Sequence, residues 1–346
     1  MRRGYRRDNN MSVDIRRERL DRGIRVRAAG LYGLLSWREI SYVLAPRAAL
    51  ILGLLILPLI VPNPYWQRVI CLMTTFALLA LVFDFLAEFV GLISLGGAFF
   101  MGVGGYVTAI LDTWLGLPIA LSIPLGTIGG AAICTLALLP CLPLRGIYFA
   151  IVTLIFPILI PRTIVALDIL GSTNGIFGLR GFPNVWVEQY LVIGVGLISL
   201  FGIRRLVGQD TGLVLIGLKD NDQAVLASGI SITRYKTLAV FIGSTIGCFS
   251  GAYMAQLYQF AGLSLFALDF SILPIAASIV GGLGSLAGPM LGAFILTPLS
   301  ELLRTFGGLR IAMYSFILVV FIFFRTEGLL NYAQRKYHQF ERWVEV

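Results

Sequence analysis

The sequence predicts an all-α integral membrane protein, a polytopic bundle of about 8–10 transmembrane helices in which some helices are short or broken. Hydrophobic residues make up 58% of the 346 residues, charged residues make up only 13%, and the mean hydropathy is +0.87. A soluble domain carries roughly 25% charged residues, so this chain cannot cover a water-facing surface of normal size. Apolar runs recur from Ala48 to Phe324, and many approach the ~20 residues that cross a bilayer.

These apolar runs divide the chain into three parts. A basic arm covers residues 1–47, a transmembrane domain covers 48–330, and a charged tail covers 331–346. Within the domain, ten apolar stretches are predicted as spans, namely 48–62, 68–87, 97–115, 118–139, 147–166, 189–203, 237–260, 268–281, 286–303 and 309–324.

The basic residues are unevenly distributed and predict the orientation. Twelve of the 27 basic residues lie in the arm, beside five acidic ones. Positive charge next to apolar spans marks the cytoplasmic side, so both termini and the charged loop 204–236 are expected in the cytoplasm. Nucleic-acid binding is the rival interpretation of an arginine-rich arm. Attraction to anionic lipid headgroups is simpler in a chain without a soluble domain.

The residues that commonly carry catalysis or bind metals are scarce. The only histidine, His338, lies in the tail, and the four cysteines lie in apolar runs, where they are expected to pack as small side chains. No catalytic residue and no metal site is therefore predicted. Asp84 and Glu88 are one helical turn apart, and we expect an interfacial role for them. Asp112 and Asp168 are expected to be solvated near the outer surface.

Glycines predict how the helices pack and where they break. Two sets repeat at four-residue spacing and predict close packing between helices inside the molecule, rather than an oligomer seam: Gly243, Gly247 and Gly251, and Gly284, Gly288 and Gly292. The stretch 91–97 (GLISLGG) also matches 282–288 (GLGSLAG) in pattern. Paired glycine-rich breaks in two halves of a chain are typical of transporter substrate sites.

The charged loop 204–236 carries five basic and three acidic residues. Its middle, from Thr211 to Ser228, can form a short helix that would engage a separate motor protein, although a merely solvated loop explains the same charges. Gln223-Ala224-Val225 followed by Gly229 is similar to the Glu-Ala-Ala-x-x-x-Gly pattern of ABC-importer coupling loops.

Further stretches resemble the branched-chain amino-acid ABC permease family of the LivM type. They follow that family's order over about 60–330, namely SLGGAFFMGVGGY (94–106), RGIYFAIVTL (145–154), GSTNGIFGL (171–179), GISITRYK (229–236), GGLGSLAGPMLGA (281–293) and RTEGLL (325–330). The chain departs from the family at Gly97, where histidine is frequent, and in 211–218, which lacks the usual arginines.

The resemblance implies the permease subunit of an ABC importer in a bacterial inner membrane. Expected partners are a second related permease, two ATPase subunits that use ATP and Mg, a periplasmic binding protein and the lipid bilayer; the chain itself is expected to bind no cofactor and no nucleic acid. Branched-chain amino acids are the expected substrates. Urea, short amides or other amino acids remain alternatives within the family. An ion-coupled secondary transporter remains the alternative from another class.

The paired glycine-rich breaks and the resemblance together suggest candidate residues for three roles. The substrate pathway is expected at Ser94, Gly96, Gly97, Tyr148, Ser285 and Gly288. ATPase coupling is expected at Lys219, Asp220, Asn221, Asp222, Gln223, Ala224 and Gly229. Thr173, Asn174 and Gly175 are expected to form an outer docking surface or gate, with an ordinary turn as the alternative.

Overall fold

A computed structural model describes residues 53–59, 61, 63–144 and 146–306, together with 309, 316, 319 and 328–330. The predicted arm 1–47 and tail 331–346 lie outside the described residues, as does most of the predicted span 309–324. Nearly all of the described chain is helical, which confirms the predicted fold class. The helices are α1 (Pro64–Asp84), α2 (Gly97–Thr113), α3 (Ile119–Leu138), α4 (Ile147–Ala166), α5 (Val185–Val207), α6 (Asp210–Asp220), α7 (Asp222–Ala227), α8 (Ile232–Tyr258), α9 (Asp269–Gly281) and α10 (Ala287–Leu302).

Several helices are long and apolar enough to cross a membrane. Among the described residues there are six such stretches: Pro64–Val90, Ile119–Cys141, Ile147–Ala166, Val185–Val207, Ile232–Tyr258 and Leu263–Gly281. Helices α2 and α10 are shorter, with 17 and 16 residues. Short helices are tolerated inside a membrane protein where neighbouring protein satisfies the ends. The chain is therefore a multi-pass membrane protein with short helices among long ones.

Helix α8 packs closely against α2 and α3, and glycines make this approach possible. A Cβ at Gly247 would lie 2.6 Å from the Phe100 side chain, and one at Gly251 would overlap the Met101 carbonyl oxygen. In the second set, a Cβ at Gly292 would overlap the Ala277 carbonyl oxygen. The set in α8 and Gly292 of the second set thus pack helix against helix within the chain, as the spacing predicted. Gly284 does not, because it lies between α9 and α10 and nothing is within 4 Å of a Cβ there.

Two irregular joints interrupt the helices. Helix α1 continues as a π-helical turn, Phe85–Val90, which ends at Gly91 with a φ of 77°. Helix α9 ends at Gly282, whose φ is 111°. We call residues 91–96 the first break and residues 282–286 the second break. Strands β1 (Ile176–Phe177) and β2 (Phe260–Ala261) pair antiparallel at the end of the bundle where α8 ends.

Candidate functional site

The charged loop 204–236 folds as two short helices rather than one. The expectation of a single helix over 211–228 is wrong because the chain breaks at Asn221, whose φ of −157° and ψ of 99° are extended. The Asn221 side chain accepts hydrogen bonds from the backbone N–H groups of Gln223 (3.0 Å) and Ala224 (3.3 Å). Asparagine favours this N-cap geometry over helix interior, so it ends α6 and starts α7.

Two ion pairs hold the short helices of this loop in place, one to the π-helical turn after α1 and one to the first turns of α8. Lys219 Nζ donates to Glu88 Oε2 at 2.8 Å, and the two side chains are 37% and 31% exposed. Lys236 Nζ donates to Asp222 Oδ2 at 3.2 Å, where both side chains are nearly buried. The predicted coupling residues Lys219 and Asp222 therefore contact the permease itself.

The remaining predicted coupling residues lie on the surface. Asp220, Gln223, Ala224 and Gly229 are exposed, as is the backbone-capping Asn221. Gly229 has a φ of 77° and its N–H donates to the Leu226 carbonyl at 2.9 Å, so it ends the α7 turn in the left-handed region that glycine favours. This exposed set is the surface of the loop that a partner protein can reach.

A cleft of about 590 Å³ opens beside this loop. Its lining includes Lys219 and Lys236, Glu88 and Gly91, and Leu283 of the second break. The cleft therefore brings together the charged loop, the π-helical turn and the beginnings of both breaks. We call this end of the bundle the coupling end.

The first break runs from the coupling end to the start of α9. Ser94 and Gly97 line a small cavity of about 10 Å³ together with Ser271 and Pro274 of α9. The backbone N–H of Ala98 donates to Ser271 Oγ at 2.9 Å. A Cβ at Gly97 would lie 2.5 Å from the Phe270 carbonyl oxygen. The start of α9 therefore leaves no room for a side chain at position 97.

The rest of the first break is held by side-chain oxygens. Thr153 Oγ1, from α4, accepts from the Leu95 N–H at 2.9 Å. Ser94 Oγ accepts from the Gly96 N–H at 3.3 Å. These bonds satisfy backbone groups that no helix satisfies, as unwound backbone inside a membrane protein requires.

The second break is more strongly constrained. Ser285 Oγ donates to the Gly282 carbonyl at 2.8 Å and accepts from the Gly288 N–H at 3.0 Å. The Asp84 carboxylate, which is fully buried in α1, accepts from the N–H groups of Gly284 (2.7 Å) and Leu286 (3.1 Å). Acceptors from two parts of the chain thus fix one five-residue segment.

The residues expected to form one substrate pathway occupy separate places. Ser94, Gly96 and Gly97 lie near the first turn of α9, whereas Ser285 and Gly288 follow its last turn. Since α9 has 13 residues, about 20 Å of helix separates the two groups. Tyr148 is 72% exposed on α4 and does not line either the cleft or the cavity described above. Of the predicted set, only Ser94 and Gly97 line the small cavity.

The predicted outer segment is a compact turn at the end opposite the coupling end. Thr173 and Asn174 are exposed, while Gly175 is buried with a φ of 74°. The N–H groups of Asn174 and Gly175 both donate to the Gly171 carbonyl, at 2.9 and 3.1 Å. The geometry is that of a turn with an exposed tip, which accommodates either of the two roles expected for it.

Sequence reasoning missed the roles of three carboxylates. Asp112 was expected to be solvated, but its side chain is 1% exposed and lies 3.7 Å from Arg180 Nε. Asp84 bonds the second break and Glu88 bonds Lys219, so neither simply faces an interface. The sequence signal that could have indicated these roles is the position of the acids in or beside apolar runs, because intramembrane acids are functional candidates by default.

Comparison with known proteins agrees with this architecture. The family model described as the branched-chain amino acid transport system permease component matches residues 65–325. The chain belongs to this family. The permease is 29% identical over 271 residues to the high-affinity branched-chain amino acid transport system permease protein LivM of Salmonella typhimurium, covering 69% of this chain and 64% of that protein. The Escherichia coli LivM is 28% identical over the same length and coverage.

A more distant relative comes from an archaeon. The probable branched-chain amino acid transport permease protein LivM of Methanocaldococcus jannaschii is 25% identical over 235 residues, covering 60% of this permease and 68% of that protein. The permease thus aligns with somewhat less than two thirds of the length of the two bacterial relatives. No solved structure matches it.

Proposed function

We propose that this permease is the membrane-spanning subunit of an ATP-driven ABC importer in a bacterial inner membrane, with both termini in the cytoplasm. The family match over residues 65–325 carries the proposal. A transport subunit of this kind is not an enzyme and holds no cofactor. Two partner ATPases bind ATP and Mg, and their closure drives the transport cycle.

The coupling end supports the ATPase partnership. Helix α7 presents Gln223 and Ala224 to solvent, while Lys219 and Asp222 fasten the loop to the bundle through ion pairs. A loop fastened on one side and exposed on the other can transfer force from a partner to the helices. Gln223, Ala224 and Gly229 are the residues that the partner would contact.

Branched-chain amino acids are the proposed cargo, received from a periplasmic binding protein at the outer turn Thr173–Gly175. A second, related permease completes the pathway. The relatives named for branched-chain amino acid transport support this cargo. The small cavity at Ser94, Gly97 and Ser271, where α2 and α9 both begin, is the proposed point on the path at which the substrate carboxylate meets helix N-termini.

Reconstitution tests the proposal directly. The permease, its partner permease and the two ATPases are placed in proteoliposomes with the binding protein, and uptake of radiolabelled leucine and of radiolabelled urea is measured. We expect leucine uptake that needs ATP and stops when the ATPases are inactivated. Uptake of urea without uptake of leucine would show that urea, and not a branched-chain amino acid, is the cargo. Leucine uptake that continues with inactive ATPases would overturn the importer and favour a secondary transporter.

A further inference from the structure

Two carboxylates lie at the π-helical turn Phe85–Val90. Neither of them is among the residues proposed above for ATPase contact or for the substrate pathway. Asp84 precedes the turn and Glu88 lies within it. A π-helical turn holds one more residue than an α-helical turn, is rare, and is found mostly at functional sites. Its position here is between the charged loop on one side and the second break on the other.

On the loop side, the turn contacts the end of α6 closely. Glu88 Oε2 accepts from Lys219 Nζ at 2.8 Å. Just beyond the turn, a Cβ at Gly91 would lie 3.1 Å from the Cα of Lys219, so the two backbones are packed directly on each other. A displacement of the α6 end therefore moves the π-helical turn with it.

On the other side, Asp84 holds the second break in an unfavourable conformation. It accepts from the N–H groups of Gly284 and Leu286. Leu286 has a φ of 57° and stands at the start of α10. A leucine in the left-handed region is strained and persists only where its surroundings enforce it. Removal of the two hydrogen bonds would release Leu286 toward ordinary backbone and let the first turn of α10 change.

A third contact confines the same segment. Gly328, in the RTEGLL stretch, is buried with a φ of 77°, and a Cβ there would overlap the Gly282 backbone. The second break thus lies between Asp84 of α1 and Gly328 near the end of the chain. Backbone packed this closely has few intermediate positions, so it favours discrete arrangements over gradual deformation.

We propose that Glu88 and Asp84 form a carboxylate link that transmits movement of the charged loop to the second break and so to α10. The link rests on the proposed function, since it assigns the residues through which ATPase movement reaches the helices. Both are positioning residues. Coupling over this distance needs contiguous contacts between elements that have alternative arrangements, and every contact of this path is present in the structure.

A charge exchange tests the loop side of the link. Glu88→Lys and Lys219→Glu are made singly and together, and leucine uptake per ATP hydrolysed is measured in the reconstituted transporter. Each single change places like charges together, so uptake per ATP should fall at least about fivefold. In Glu88→Lys, whose position lies outside the coupling residues, ATP hydrolysis and subunit assembly should persist. The double exchange restores opposite charges and should return the ratio to within about twofold of wild type.

Hydrogen exchange of the assembled complex tests the whole path without relying on transport. In the wild type, trapping the ATPases with ATP should change the exchange rates of the amides in 282–286. The change should be absent in Glu88→Lys and Asp84→Asn, and present again in the double exchange. If Glu88→Lys fails to fold, the milder Glu88→Gln replaces it and should show a smaller ATP-dependent change than wild type.

The outcomes separate this proposal from the one on which it rests. An unaltered ATP-dependent exchange change and an unaltered uptake per ATP in Glu88→Lys would overturn the link while leaving the importer intact. Absence of any ATP-dependent leucine uptake in the wild type would overturn the proposed cargo instead. The hydrogen-exchange measurement on residues 282–286 would then still show whether the carboxylate link exists, because it does not depend on the cargo.

Discussion

Single residues in this permease acquire their roles from partners that are remote in sequence. Asp112, on α2, accepts from the Arg180 backbone N–H at 2.7 Å and from Gln256 Nε2 at 3.4 Å. Gln256 Nε2 also lies 3.3 Å from Ser122 Oγ. A buried carboxylate is costly unless donors and charge compensate its loss of water. Asp112 therefore fastens the outer end of α2 to α8 and to the outer segment.

Replacing Asp112 tests this role. Asp112→Asn keeps the shape but removes the charge that strengthens the bond from Arg180, so we expect a loss of about 1–2 kcal/mol of stability. The apparent midpoint of thermal unfolding in lipid nanodiscs, followed by tryptophan fluorescence, should fall. Asp168→Asn is the matched control, because Asp168 is exposed and asparagine tolerates its φ of 52°. Equal midpoints in both variants would contradict the role.

At the scale of elements, the fold depends on close backbone-to-backbone packing between helices α2 and α8. Gly251 of α8 lies against the Met101 carbonyl of α2, and Gly104 of α2 lies against the Cys248 backbone of α8. Lipid offers no hydrophobic drive for helix association, so close packing must supply it. The two helices beside the first break are held in place by this mutual approach.

Gly251→Ala tests the approach of α2 and α8. The new methyl group must displace α2, so we expect a loss of about 1–3 kcal/mol and a clearly lower unfolding midpoint. Gly194→Ala on α5 is the matched control, since nothing lies within 4 Å of a Cβ there. Alanine favours helix more than glycine, so this control should be unchanged or slightly more stable. A Gly251→Ala protein as stable as the control would show that α2 and α8 do not need this contact.

Helix α7 depends on its cap. Asn221→Ala removes the acceptor for the N–H groups of Gln223 and Ala224 and should cost α7 about 1 kcal/mol. The amides of 222–228 should exchange with solvent several times faster, as measured by mass spectrometry. Asn221→Asp retains a capping oxygen and should exchange at nearly the wild-type rate. Equal exchange in the alanine and aspartate variants would rule out the cap.

At the scale of the whole molecule, the bundle separates a coupling end from an outer end. The coupling end collects the charged loop, the cleft and the start of both breaks. The outer end carries the β1–β2 pair and the exposed turn at Thr173 and Asn174. Helix α9 and the first break connect the cavity to the coupling end. This polarity fits the proposed importer, in which delivery and ATP hydrolysis would take place on opposite faces.

The polarity predicts where ATPases attach. Ala224→Arg adds a long charged side chain to the exposed face of α7, so co-purification of the ATPases should fall at least about tenfold while the permease stays folded. Ala166→Arg is the control, because Ala166 is also exposed but ends α4 away from the coupling residues. Loss of the ATPases in both variants, or in neither, would contradict the attachment site.

The sequence alone determined the fold class, because apolar length and low charge leave a membrane as the only suitable solvent for the chain. It also determined internal helix packing, since glycine spacing along a helix is a local property. It indicated where the two breaks lie, at Gly91 and Gly282. It did not predict that Gly97 and Gly288 lie at opposite ends of α9, about 20 Å apart along the helix, because that distance depends on how α9 is placed between them.

Only the tertiary structure decided what the ionisable residues do. Asp84 and Glu88 are one turn apart in sequence, yet one reaches residues 284 and 286 and the other Lys219. Asp112 is buried, and its partners Arg180 and Gln256 lie 68 and 144 residues away in sequence. Charge type and local spacing are written in the chain, but the partner of a charge is set by packing across long sequence separations. The charged loop was visible from sequence; the structure showed which of its residues hold the permease and which remain for a partner.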